Sequence, residues 1–147
     1  MHYNRRKSAR PKIGHYQDIP KDPLFPFGHG LSYTVYNYNE IKLSKNRITK
    51  EEKVTAEINV SNDGTLDGKE TVLWFIADPV ASVSRPVREL KFFEKKQINA
   101  GQKKVYRFVI DPMRDLSYTD STGKRHLETG DYYLEAGTQK ATLKLID

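Results

Sequence analysis

The chain has 147 residues, enough for one domain with a real core, and its 37% hydrophobic and 30% charged residues describe a polar but foldable sequence rather than a disordered one. It contains no cysteine, so a disulfide framework and thiolate metal sites are excluded. The net charge of +6 does not mark a nucleic-acid binder: Arg5, Arg6, Lys7, Arg10, Lys12 and Lys21 against Asp18 and Asp22 place four of the six charges in the first 22 residues, and the rest of the chain mixes both signs.

Residues 1–34 show no hydrophobic period and predict an extended, irregular strap. Tyr3, Tyr16, Phe25, Phe27 and Tyr33 are spaced as in a segment that touches a surface at intervals. In Pro23-Leu24-Phe25-Pro26-Phe27-Gly28-His29-Gly30 the prolines forbid a helix or a central strand, and the glycines permit a turn. Phe25 and Phe27 are therefore expected to pin the strap onto an apolar surface. No apolar run reaches the length of a membrane span, and no hydrophobic region follows the basic start.

From residue 35 the pattern is that of strands. Ile41 and Leu43 share a face of a first short strand ending at Lys45-Asn46. Residues 53–61 alternate, with Val54, Ala56, Ile58 and Val60 on one face, which predicts a half-buried antiparallel strand. Asn62-Asp63-Gly64 and Asp67-Gly68 are turn sequences. Residues 69–77 are apolar on both faces, Val72, Trp74 and Ile76 against Leu73, Phe75 and Ala77, as in a central strand covered on both sides. Asp78-Pro79 ends it, and residues 87–98 and 103–111 follow as strands, the second with Tyr106, Phe108 and Ile110 inward. Residues 116–120 and 124–127 predict a short hairpin about Ser121-Thr122-Gly123, and residues 131–136 and 141–146 close the chain. No stretch predicts a helix. Seven to eight short strands with turns roughly every 8–12 residues predict an all-β, immunoglobulin-like antiparallel sandwich over residues 35–147, with Trp74 as its core tryptophan.

Catalytic and ligand chemistry finds little support. His2, His15, His29 and His126 have no metal-ligand spacing, and Asp63 and Asp67 lack the alternating oxygen donors and closing glutamate of a calcium loop. Gly28-His29-Gly30 is followed by Tyr33 where a dinucleotide loop needs its third glycine, and Ser32 lacks the flanking glycines of a nucleophile elbow. No cofactor or metal is expected. The polar pair that stands out is Arg85 and Arg88 around Pro86-Val87, two guanidinium groups suited to carboxylates on a neighbouring domain.

The segment Pro23 to Thr34 resembles the start of the C-terminal fibronectin type III-like domain of glycoside hydrolase family 3, the β-glucosidase and β-xylosidase family. The run from Asp78 to Lys91 resembles that domain's internal motif, and Asn62-Asp63-Gly64, Gly101, Leu116-Ser117-Tyr118 and Gly130-Asp131-Tyr132 fall in the family's order. Asn4 to Pro11 and Tyr16 resemble the linker leaving a preceding α/β domain. Two departures are Leu73, where the family has glutamine, and Phe92, where it has glycine; both are expected to add apolar surface on an outward face.

The resemblance implies a non-catalytic module, because the family's nucleophilic aspartate and its acid/base glutamate lie in domains preceding this one. It implies a parent glycosidase of periplasmic or secreted location. The expected partners are its catalytic domains, contacted through Phe25, Phe27, Tyr33, Arg85 and Arg88. The alternative is a carbohydrate-binding module, for which Tyr36, Tyr38 and Tyr133 are the candidate platform for polysaccharide.

Overall fold

A computed structural model describes residues 24–147; the earlier strap residues, Tyr3 and Tyr16 among them, lie outside the described residues. Two sheets face each other across one core. In the first, β4 (Val54–Asn62) is central, with β7 (Lys103–Ile110) antiparallel on one edge. Along its other edge β1 (Tyr36–Tyr38) and β2 (Lys42–Leu43) lie in tandem. The second sheet runs in the order β3 (Arg47–Ile48), β11 (Gln139–Leu145), β10 (Gly130–Ala136), β5 (Gly68–Ala77), β6 (Glu89–Ile98). A separate hairpin pairs β8 (Tyr118–Thr119) with β9 (Arg125–His126).

Where one first strand ending at Lys45-Asn46 is expected, three short strands occur, the last of them beyond that end. Asn39-Glu40 and Ser44-Lys45-Asn46 lie between them, and the polar side chains of these segments suit turns better than ladders. As a result β1 and β2 serve the first sheet, and β3 crosses to the second, where it pairs with β11 in parallel rather than antiparallel fashion. The crossing buries Ile41 and Ile48 between the layers. Taken as one discontinuous strand, β1 to β3 complete a seven-stranded sandwich with β4, β5, β6, β7, β10 and β11.

Side-chain alternation fills the core from both sheets. Val54, Ala56, Ile58 and Val60 of β4 face Trp74 and Ile76 of β5 and Leu134 and Leu143 of β10 and β11 within one cluster. Trp74 is fully buried, with its ring 6.1 Å from that of Phe108. Burying a side chain of that size contributes roughly 1.5–3 kcal/mol relative to exposure.

Two local features depart from the expected pattern. Residues Pro112–Leu116 form one π-helical turn where only a strand break is expected. Asp111 caps it by accepting from the Met113 and Arg114 amides, and Pro112 follows at the first helical position, where its missing N–H costs nothing. The second is a β-bulge in β6. Trp74 pairs with Phe92 but Phe75 pairs with Leu90, so Lys91 is an extra residue. Phe92 thus shares Trp74's inward side and stacks on Phe108, with ring centroids 5.3 Å apart and planes 12° from parallel. Phe92 therefore points to the core side rather than outward, yet on this edge strand it stays 38% exposed and adds apolar surface as expected; the outward aromatic is Phe93, opposite Leu73.

Candidate interdomain surface

The strap is held at two places. Near its start, the amide of His29 donates to the Pro26 carbonyl (2.9 Å) and closes a tight turn. Gly28 sits in this turn at φ +88°, with its Cα so close to the sheet that a Cβ would lie 2.7 Å from Leu73 Cδ1. The turn presses Phe27 edge-on against Phe75, with ring centroids 6.3 Å apart, and sets Phe25 beside His29. At its end, the Thr34 hydroxyl donates to Asn62 Oδ1 (2.5 Å). Asn62 is fully buried, and its amide also donates to the carbonyls of Leu66 (2.8 Å) and Ile98 (3.0 Å). Between these anchors Leu31 and Tyr33 stand out from the sandwich, 96% and 98% exposed.

The two arginines have different surroundings. Arg85 is buried and donates to Asp78 (2.9 Å), to the Leu116 carbonyl (3.0 Å) and to Glu89 (3.4 Å), while its guanidinium lies 5.7 Å from the centre of the Tyr118 ring. Its donors are spent inside the chain, where they hold the base of the loop between β5 and β6. The same loop is tied further out: the Ser82 amide donates to Glu128 (3.1 Å), and the hydroxyls of Ser82 and Tyr118 bond the same carboxylate. Ser82, ahead of the other partners, holds the Glu128 carboxyl below its ordinary range. Arg88 instead lies over the Phe75 ring at 4.3 Å and reaches Glu135 at 3.1 Å, with its side chain still partly open to solvent.

Of the five expected contact residues, Phe27 and Arg88 meet on Phe75, and Phe25 belongs to the same turn. Tyr33 lies further along the strap, and Arg85 is interior. Phe93, exposed on this face, and Phe75, buried beneath Phe27 and Arg88, are contributors that the sequence did not single out. The Phe92-Phe93 pair was the available signal, but strict alternation cannot say which ring faces out when a bulge intervenes.

The three tyrosines of the carbohydrate alternative do not share a face. Tyr36 and Tyr38 pack against the core, Tyr38 with its hydroxyl on Glu70, and Tyr133 belongs to the outer face of the other sheet, with Lys140 Nζ 3.7 Å above its ring. Asp63 and Asp67 serve turns, the first bonded by Asn37 and the second accepting from the Ala100 amide (2.8 Å). Among the described residues no group of His, Asp or Glu side chains is arranged to hold a metal ion, and no helix is long and apolar enough to cross a membrane.

Sheet order, the buried Trp74 and the capped strap define a fibronectin-type β-sandwich module that carries an apolar turn on one outer face. Residues 70–140 match the fibronectin type III-like domain family and belong to it, and β-glucosidases are among the proteins the chain is similar to. It is similar to the thermostable β-glucosidase B of Acetivibrio thermocellus (36% identity over 124 residues, 84% of this chain and 16% of that protein). It is also similar to the periplasmic β-glucosidase of Salmonella typhimurium (36% identity over 129 residues, 88% of this chain and 17% of that protein). Among solved structures, a β-glucosidase from Listeria innocua in complex with gluconolactone superposes with a TM-score of 0.89 at 28% identity, covering 99% of this chain and 22% of that one. The chain thus spans about a fifth or less of the relatives it matches.

Proposed function

We propose that the chain is the non-catalytic C-terminal module of a longer family 3 β-glycosidase of β-glucosidase type, and that it stabilises the enzyme by docking on the catalytic domains. The observation that carries this reading is the contrast between a well-filled core and an apolar turn left open. Trp74 and its neighbours are fully buried, yet Leu24, Phe25 and Leu31 in the strap are mostly exposed. Exposed apolar side chains concentrated in one segment mark a contact surface. An interdomain contact of this kind buries roughly 600–1,500 Å². A periplasmic or secreted location for the parent enzyme follows the same reading, in line with the periplasmic β-glucosidase of Salmonella typhimurium. The polysaccharide-holding alternative gains no support from the placement of Tyr36, Tyr38 and Tyr133.

The test is calorimetry of the full-length polypeptide with and without these residues. Loss of the module lowers the melting temperature of the catalytic domains; an unchanged melting temperature contradicts the reading.

A further inference from the structure

The outer faces of the two sheets are unlike. On the first sheet the outward row is Thr55, Glu57, Asn59 and Ser61 of β4 with Val105, Arg107 and Val109 of β7, a mostly polar surface with two valines kept apart by Arg107 and no aromatic ring. On the second sheet Leu73 and Phe93 stand opposite each other across the β5–β6 ladder, and Phe93 is 62% exposed. Phe75 continues this apolar row under Phe27 and Arg88. Lys69 and Lys95 border it along β5 and β6; on its other side Glu135 of β10 stands directly across from Phe75, and Lys140 and Lys144 lie one strand further out on β11, opposite Glu135 and Asp131. The surface is apolar at its centre and basic along its β5–β6 side.

We propose that this face, formed by Leu73, Phe93 and the Phe25–Phe27 turn and bordered by Lys95 and Arg88, is where the module seats against the domain preceding it. Its counterpart is an apolar surface that is acidic where it meets the β5–β6 side. This rests on the reading of the chain as a C-terminal module and names the side of the sandwich that docks. The tether selects the occupant. Gly28 backs onto Leu73 and Phe27 onto Phe75, so from Leu24 onward the chain enters the sandwich across this face. The relatives have room for a preceding domain, since this chain covers only 16% and 17% of the two β-glucosidases described above. The Phe75 ring offers no stacking plane, being covered by Phe27 and Arg88. Charge complementarity at the basic β5–β6 side favours an acidic partner and orients the encounter.

The absence of cysteine from the chain allows single-site reporters. Phe93→Cys reports on the proposed face, and Lys95→Cys repeats the reading on its rim; Val109→Cys reports on the opposite sheet. Maleimide labelling of each is followed by peptide mass spectrometry in the isolated 147-residue chain and in the full-length polypeptide. Labelling at Phe93→Cys and Lys95→Cys is expected to slow by about tenfold or more in the full-length polypeptide, the factor that accompanies each 1.4 kcal/mol or so of docking free energy. Val109→Cys is expected to label equally in both. Protection of Val109→Cys with Phe93→Cys and Lys95→Cys left open would overturn the choice of face and leave the module reading intact. Equal labelling of all three in both proteins would overturn docking itself.

Discussion

Arg85 shows how a residue's surroundings decide its role. Its side chain and that of Asp78 are 7% and 6% exposed, and the pair lies 2.9 Å apart. Removing one member of a buried pair leaves the other charge uncompensated, so Arg85→Ala is expected to cost about 3–5 kcal/mol in the isolated chain, measured by urea unfolding. An arginine acting only on another domain would leave that measurement unchanged. Acid sensitivity belongs to the same scale. Burial pushes the Glu89 carboxyl up, but the Lys91 ammonium, with Arg85 behind it, outweighs burial and holds it below 4.5. Glu128 is likewise held down by the Ser82 and Tyr118 hydroxyls. A carboxylate with a lowered folded-state pKa contributes stability that is complete above its unfolded value and lost as the pH falls through its folded value. The urea midpoint should therefore fall as the pH drops from about 5 to 3, and Lys91→Met should flatten that slope. A midpoint independent of pH would contradict the assignment.

At the scale of elements, the bulge in β6 divides two adjacent phenylalanines between different tasks. Phe92 is stacked on Phe108, so Phe92→Ala loses a ring pair of about 0.5–1.5 kcal/mol together with buried area, and the isolated chain should melt lower. Phe93 contacts solvent for most of its surface, so Phe93→Ala should leave the isolated chain within about 0.5 kcal/mol of the parent. Comparable losses from both would place both rings inside.

The same region shows what was legible in the sequence. The period-2 alternation of β4 reads directly because its inward positions from Val54 to Val60 are apolar and its outward ones from Thr55 to Ser61 polar, and the two-sided apolar run of β5 reads as a central strand for a related reason. The position of the bulge does not read, because one extra residue reverses the face of everything beyond it and carries no composition of its own. The splitting of the first strand is equally hidden, since β2 and β3 are two residues each and are fixed by partners far along the chain. The π-helical turn could have been found: aspartate followed by proline is a cap and first helical residue as readily as a strand stop. For the candidate surface, the two phenylalanines and Arg88 were visible as apolar and cationic groups in a segment that cannot form regular structure. The interior position of Arg85 depends on Asp78 and the Leu116 carbonyl, which only the folded chain brings together.

At the scale of the molecule, a sandwich with a filled core and an open apolar face can fold alone and still gain from a partner. Fully buried Trp74, Ile58 and Leu134 give the chain its own cooperative unit, and Phe25, Phe93 and Leu31 are among the apolar residues that the sandwich does not cover. Docking adds the free energy of covering that surface to the stability of both sides. Differential scanning calorimetry of the full-length polypeptide beside the isolated chain measures this coupling most directly. The account predicts that the module unfolds together with the catalytic domains in one transition, above the melting temperature of the isolated chain, and that deleting the module lowers the transition of what remains. A module that melts independently, at the same temperature inside the full-length polypeptide as alone, would contradict it.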